Sequence, residues 1–177
     1  MKKKGDVWVS AILYTALGVV LLTIILAAGL PAIQKMKDSY TSKQTKELML
    51  VLDKNIKTVY HEGPGSQRVV TIDIGRGDFI INPDETEENI VFSFESSALI
   101  SEIDAPVEEG SLTILSTESG VKGKYNVELK LNYLSNPPVI ELDYTGSEVV
   151  SGEVNLLIYN EGQNDAGTAT TIKLSQI

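Results

Sequence analysis

The chain has no cysteine and only one histidine in 177 residues. Without cysteine there is no disulfide framework and no thiolate metal site. The one histidine, His61, stands beside a Gly-Pro-Gly break, and no neighbouring residues complete a Ser-His-Asp constellation. Neither "GRGD" nor "GSEVVSG" has the strand-loop-helix context of a phosphate loop. No Asn-x-Ser/Thr sequence occurs, so N-glycosylation is not expected. These gaps argue against catalysis, and the expectation is a protein that is not an enzyme and uses no cofactor or metal.

Positive charge is also scarce. There are 15 basic and 24 acidic residues, a net charge of −9, and the basic residues cluster before position 60. The remainder is therefore more acidic than the total, and such a surface repels nucleic acid. Two short motifs tempt a functional reading. "RGD" at Arg76–Asp78 spells an adhesion tripeptide, but Gly75 and Gly77 read more simply as a tight turn. "NPDETEEN" gathers Asp84, Glu85, Glu87 and Glu88. Clustered oxygens suit a hard cation, but the spacing is not that of an EF-hand, and a solvated acidic loop is expected.

What the chain does have is a long uncharged run. From Val7 to Ile33, 27 positions, there is no charge. As a helix the run is about 40 Å long, enough to cross a hydrocarbon core of about 30 Å with some tilt. It exceeds the apolar core of a secretory signal, which is about 7–15 residues. Lys2, Lys3 and Lys4 precede it, and Lys35, Lys37 and Asp38 follow. The balance favours a cytoplasmic N-terminus and an external C-terminal part.

The helix pattern continues past the run. Leu48, Leu52, Ile56, Val59 and Tyr60 recur at three- and four-residue spacing, an apolar stripe suited to packing on the following domain. One nearly continuous helix is expected over 6–61, ended by Gly63, Pro64 and Gly65 in a linker at 62–66. From 67 to 177 the period changes to two. Strands are expected at 68–74, 79–81, 89–95, 98–103, 111–117, 124–134, 138–144, 152–160 and 168–177, with turn residues between them. The fold class expected is α+β: a long N-terminal hydrophobic helix, then an antiparallel β-sandwich or wrapped sheet.

The "KKKGD" junction at the start admits three readings. It is the cytoplasmic foot of a plain anchor, the start of a signal discarded whole near Ala27 and Gly29, or a leader of residues 1–5 cut after Gly5. The third removes Lys3 and Lys4, frees the amine of Asp6, and keeps the apolar helix. Lysines do not enter an apolar core cheaply, so their removal suits a helix that buries itself against copies of itself. Val19, Leu22 and Leu26 would then pack in that core.

"KKKG" before "DVWVSAILYTALGVVLLTIILAAGLPAI", a continuing helix and a β domain resembles the archaeal type IV pilin-like proteins, archaellins and adhesion pilins with a class III signal peptide. The resemblance covers 1–60 in motif and 67–177 in architecture. It implies prepilin-peptidase cleavage between Gly5 and Asp6, with Lys3 and Lys4 as part of the recognised leader. It also implies membrane insertion before assembly, and a cell-surface filament of this chain or related pilins with helices inside and β domains outside. The chain departs from the family at Ser10, where pilins often carry glutamate, and at Asp6, where many archaeal members begin with glutamine. The alternative is a single-pass anchored β protein, a minor pilin or an archaellum stator-like component, that binds an envelope or surface-layer partner.

Overall fold

The computed structural model describes residues 3–82, 88–133, 139–146, 149–164 and 166–177. A single helix, α1 (Lys3–Glu62), spans 60 residues and continues through Pro31. Pro31 has no N–H, so one rung of the helical ladder is missing there. The helix stops where the sequence stops supporting it. Gly63 has φ +90°, a conformation that costs a residue with Cβ dearly. Asn160 Nδ2 donates to the Val59 carbonyl at 3.0 Å, and Ser66 Oγ donates to the same carbonyl at 2.7 Å. These partners satisfy a helix end that would otherwise leave carbonyls unpaired.

The rest of the chain forms β1 (Gln67–Asn82), β2 (Asn89–Ser96), β3 (Val107–Glu109), β4 (Leu112–Glu118), β5 (Tyr125–Asn132), β6 (Ile140–Thr145), β7 (Val149–Gln163) and β8 (Thr170–Gln176). They make one sheet in the order β3-β4-β5-β2-β1-β7-β8-β6. In this order β6 and β8 pair in parallel, and the other neighbouring strands pair antiparallel.

This is the α+β order expected. The strands form one continuous hydrogen-bonded sheet, the wrapped form of that expectation, and the second half of α1 packs on its buried side chains. Strand residues alternate between faces, so each strand sends every second side chain to the core. Ile72, Ile74, Phe79, Phe92, Leu129, Leu156 and Ile172 do so, and Met49, Leu52, Ile56 and Val59 of α1 meet them. Fully burying each of these four helix side chains contributes about 1.5–3 kcal/mol. The sheet also curls. Ile140 N donates to the Tyr133 carbonyl, and Leu142 N to Glu88 Oε2 at 2.6 Å, so the β6 edge is tied to residues beside β2 and β5.

Three local expectations change. "GRGD" is not a turn between strands but a bulge inside β1: from Ile74 to Phe79, β1 advances five residues while β7 retreats two, from Gly152 to Val150. Bulges of this kind bend a strand and redirect its side chains. Residues 98–103 form no strand, only a single bridge from Ile103 to Ser116. That segment follows Ser97, which is engaged by the helix instead. The short β3 at 107–109 takes the edge position beside β4.

Candidate functional site

The helix has two halves with opposite surroundings. From Trp8 to Ile33 nearly every residue is exposed; Val19, Leu22 and Leu26 show 63, 57 and 50% of their surface. This half is long and apolar enough to cross a membrane, with a mean hydropathy of 2.5 over its most apolar window. An uninterrupted apolar surface of this size marks contact with lipid or with protein. Of the four hydroxyl-bearing residues within it, Ser10, Tyr14, Thr15 and Thr23, the two threonines donate to carbonyls of the preceding turn (Thr15 Oγ1 to Ala11 O, 2.9 Å; Thr23 Oγ1 to Val19 O, 2.8 Å), so these two add no unmet polarity. Lys3, Lys4, Gly5 and Asp6 lie in the first turns of the same helix.

The second half is embedded. Asp38, Ser42, Thr45, Met49, Leu52, Ile56 and Val59 are all buried, at alternating spacings of four and three. Leu52, Ile56 and Val59 are where the sequence pattern put them. Leu48 is only partly buried at the margin, and Met49 takes the central position. The stripe also begins earlier than apolar residues can reveal, because its first members are polar.

Asp38 is the anchor of that polar end. Its Oδ1 accepts from Gln34 Nε2 at 2.9 Å and from Arg76 Nη1 at 2.8 Å; its Oδ2 accepts from the backbone N–H of Ser97 at 2.8 Å and the Ser97 hydroxyl at 2.5 Å. Burial pushes this carboxyl up, but the Ser97 and Arg76 contacts outweigh it and hold the group below its ordinary 3.8. The clamp thus fixes the β1 bulge and the end of β2 to the helix. Asp38 lies five residues past Ile33, about 8 Å along the helix axis, so the sheet is seated directly against the end of the apolar half. Arg76 is occupied in this way, so "RGD" is part of the clamp and not a free loop.

Further contacts hold the helix laterally. Asp53 accepts from Lys57 Nζ at 2.8 Å and from the Tyr133 hydroxyl at 3.3 Å. Burial raises the Tyr133 phenol well above its ordinary 10.0, and the charge and hydrogen bond of Asp53 push the same way, so it stays a neutral donor. Lys57 also meets the Ser111 hydroxyl, and Lys46 pairs with Glu109. Sequence reasoning missed Asp38, Asp53 and Asn160. Buried polar partners are contributed by distant strands, and no periodic pattern signals them. His61 is exposed in the last turn, edge-on to Tyr60 at 5.2 Å between ring centres.

Of the acidic loop, Asp84, Glu85 and Glu87 lie outside the described residues. Glu88 is buried, with φ +34°, and serves the sheet by accepting from Leu142. Among the described residues no group of three or more His, Cys, Asp or Glu side chains could hold a metal ion. Compared with known proteins, the chain matches no family model, no curated protein and no solved structure.

Proposed function

We propose that this chain is a structural subunit of an archaeal type IV pilus-like surface filament. It is inserted in the membrane as a precursor, cut after Gly5, and assembled through its N-terminal helix. The observation that carries the reading is the division of α1: one continuous helix exposes nearly all of its apolar half and seats its other half in a sheet that begins where that apolar half ends. Such a rod can lie in lipid first and then bury the same side chains against neighbouring rods. The leader-like junction "KKKGD" at its start supports the order of these events. The role is mechanical, and the partners are other copies or related pilins, with a prepilin peptidase acting once.

The test is the mature N-terminus together with the cell surface. Mass spectrometry of the protein expressed with its processing machinery should find Asp6 first, and electron microscopy of sheared surface material should find filaments containing the chain. Gly5→Val should leave full-length protein in the membrane, because a side chain beside the cut obstructs close backbone access. An intact Met1 end and no filaments would favour a membrane-resident anchored protein instead.

A further inference from the structure

Charge is distributed unevenly over the part of the chain beyond the apolar run. Residues 34–62 contain six lysines and four acidic residues; residues 63–177 contain six basic and 19 acidic residues, a net charge of −13. The lysines that touch the sheet are matched: Lys46 with Glu109 and Lys57 with Asp53. Lys35, Lys37, Lys43 and Lys54 are exposed and have no ion partner among the described residues. Lys43 and Lys54 lie on the uncovered face of the helix together with the exposed Tyr40 and Val51. Glu47 is the acid on that face.

The sheet shows the complementary defect. Asp73 of β1 and Glu153 of β7 are directly opposite each other in the antiparallel register, and both are exposed. Their Cβ atoms are therefore about 4.5–5.5 Å apart on one face, where like charges destabilise a pair of strands. The next pair on that face, Thr71 and Asn155, is joined by a side-chain hydrogen bond of 2.8 Å, but no cation reaches Asp73 or Glu153 among the described residues. The chain thus keeps an unrelieved carboxylate pair on its sheet and an unmatched lysine face on its helix.

We infer that these two surfaces meet between copies: the helix face of Lys43 and Lys54 docks on the Asp73–Glu153 pair of a second copy. Lysine is a point charge on a long stem, so it reaches between two carboxylates, while Tyr40 and Val51 cover the stem region. The two surfaces differ, so the contact is heterologous and propagates from copy to copy instead of closing a dimer. The inference rests on the filament reading and adds the contact that sets the position of each subunit outside the apolar core. Electrostatic contacts of this kind select register and partner.

The experiment uses the full, processed chain. Asp73→Asn with Glu153→Gln removes the repulsion inside one copy and the attraction between copies. The isolated subunit in detergent should melt at the same or a higher temperature than the parent, while filaments pelleted from sheared cells fall by about tenfold or more and dissolve at lower salt. Lys43→Glu with Lys54→Glu should give the same loss, and adding Asp73→Lys with Glu153→Lys should restore assembly. If the neutral variant pellets like the parent at every salt concentration, the docking is refuted while the filament reading stands. If chelation dissolves parent filaments but leaves those of the neutral variant intact, a bridging divalent ion replaces the lysines and the docking is again refuted. A parent that forms no filaments with its machinery present overturns both.

Discussion

Arg76 crosses from the bulge of β1 to Asp38 of the helix, Nη1 to Oδ1 at 2.8 Å, and so joins the sheet to α1 just past the end of the apolar run. The carboxylate is buried while the guanidinium remains partly exposed. Asp38→Asn keeps the shape but removes the charge that Arg76 and Ser97 address. We predict a loss of about 1–3 kcal/mol, read as a lower melting temperature of the full-length protein in detergent. The difference should also depend on pH. The folded carboxyl titrates below its ordinary 3.8, so the unfolded chain takes up the proton first on acidification. The clamp is therefore intact above that value and is lost as pH falls through the folded one. The gap between parent and variant should hold steady above about pH 5 and narrow only as pH falls below 3.8 and through the lower folded value. A constant gap would mean that charge at Asp38 contributes nothing.

The covered stripe of the helix makes a second prediction, because neighbouring apolar residues differ sharply in burial. Met49 is fully buried among the strands, while Leu48 lies at the margin. Met49→Ala should cost about 2–5 kcal/mol in chemical unfolding of the full-length protein. Leu48→Ala should cost clearly less, since part of its surface is already in water. Equal losses at the two positions would show that the helix is rotated relative to the sheet from the orientation described.

That contrast also marks what the sequence could reveal. The helix and most strands are local patterns: uncharged residues for 27 positions, apolar residues three and four apart, then alternation. Leu52, Ile56 and Val59 follow from spacing alone. Met49 over Leu48 does not, because both fit an apolar stripe and only the sheet decides the rotation. Asp38, Ser42 and Thr45 were invisible for the opposite reason. They occupy covered positions with polar side chains: the partners of Asp38, Arg76 and Ser97, are 38 and 59 residues away in sequence, and Ser42 donates to the Asp38 carbonyl. The strand expected at 98–103 failed at the same place, since Ser97 turns to meet Asp38 and the chain after it leaves the ladder.

Gly77 carries the third prediction. It has φ +104°, and a Cβ built there would lie 2.5 Å from the Ser93 carbonyl oxygen and 2.9 Å from Phe94 Cβ. Gly75, two residues earlier in the same bulge, has open space around it. Gly77→Ala should therefore force β1 away from β2 and disturb Arg76 and the clamp, with a loss of about 1–3 kcal/mol from backbone strain alone. Gly75→Ala should change stability far less. The comparison needs only two melting curves, and a reversed order would show that the bulge is not held as described.

The last prediction concerns the exposed half of the helix, where lipid and protein neighbours make different demands. Leu22 and Leu26 are exposed in the single chain. Changing both to alanine leaves the run uncharged and apolar, so insertion into the membrane should be normal by fractionation of cells. In lipid, flexible acyl chains close around the smaller side chains at little cost. In a core of packed helices, the surrounding side chains relax only partly, and each large-to-small change costs about 2–5 kcal/mol. A filament repeats that loss at every subunit. Leu22→Ala with Leu26→Ala should therefore give normal amounts of processed membrane protein and few or fragile filaments in sheared material. Filaments of parental number and length would place Leu22 and Leu26 outside the packed core. Failure of the variant to insert would instead show that the run depends on these leucines for membrane entry itself.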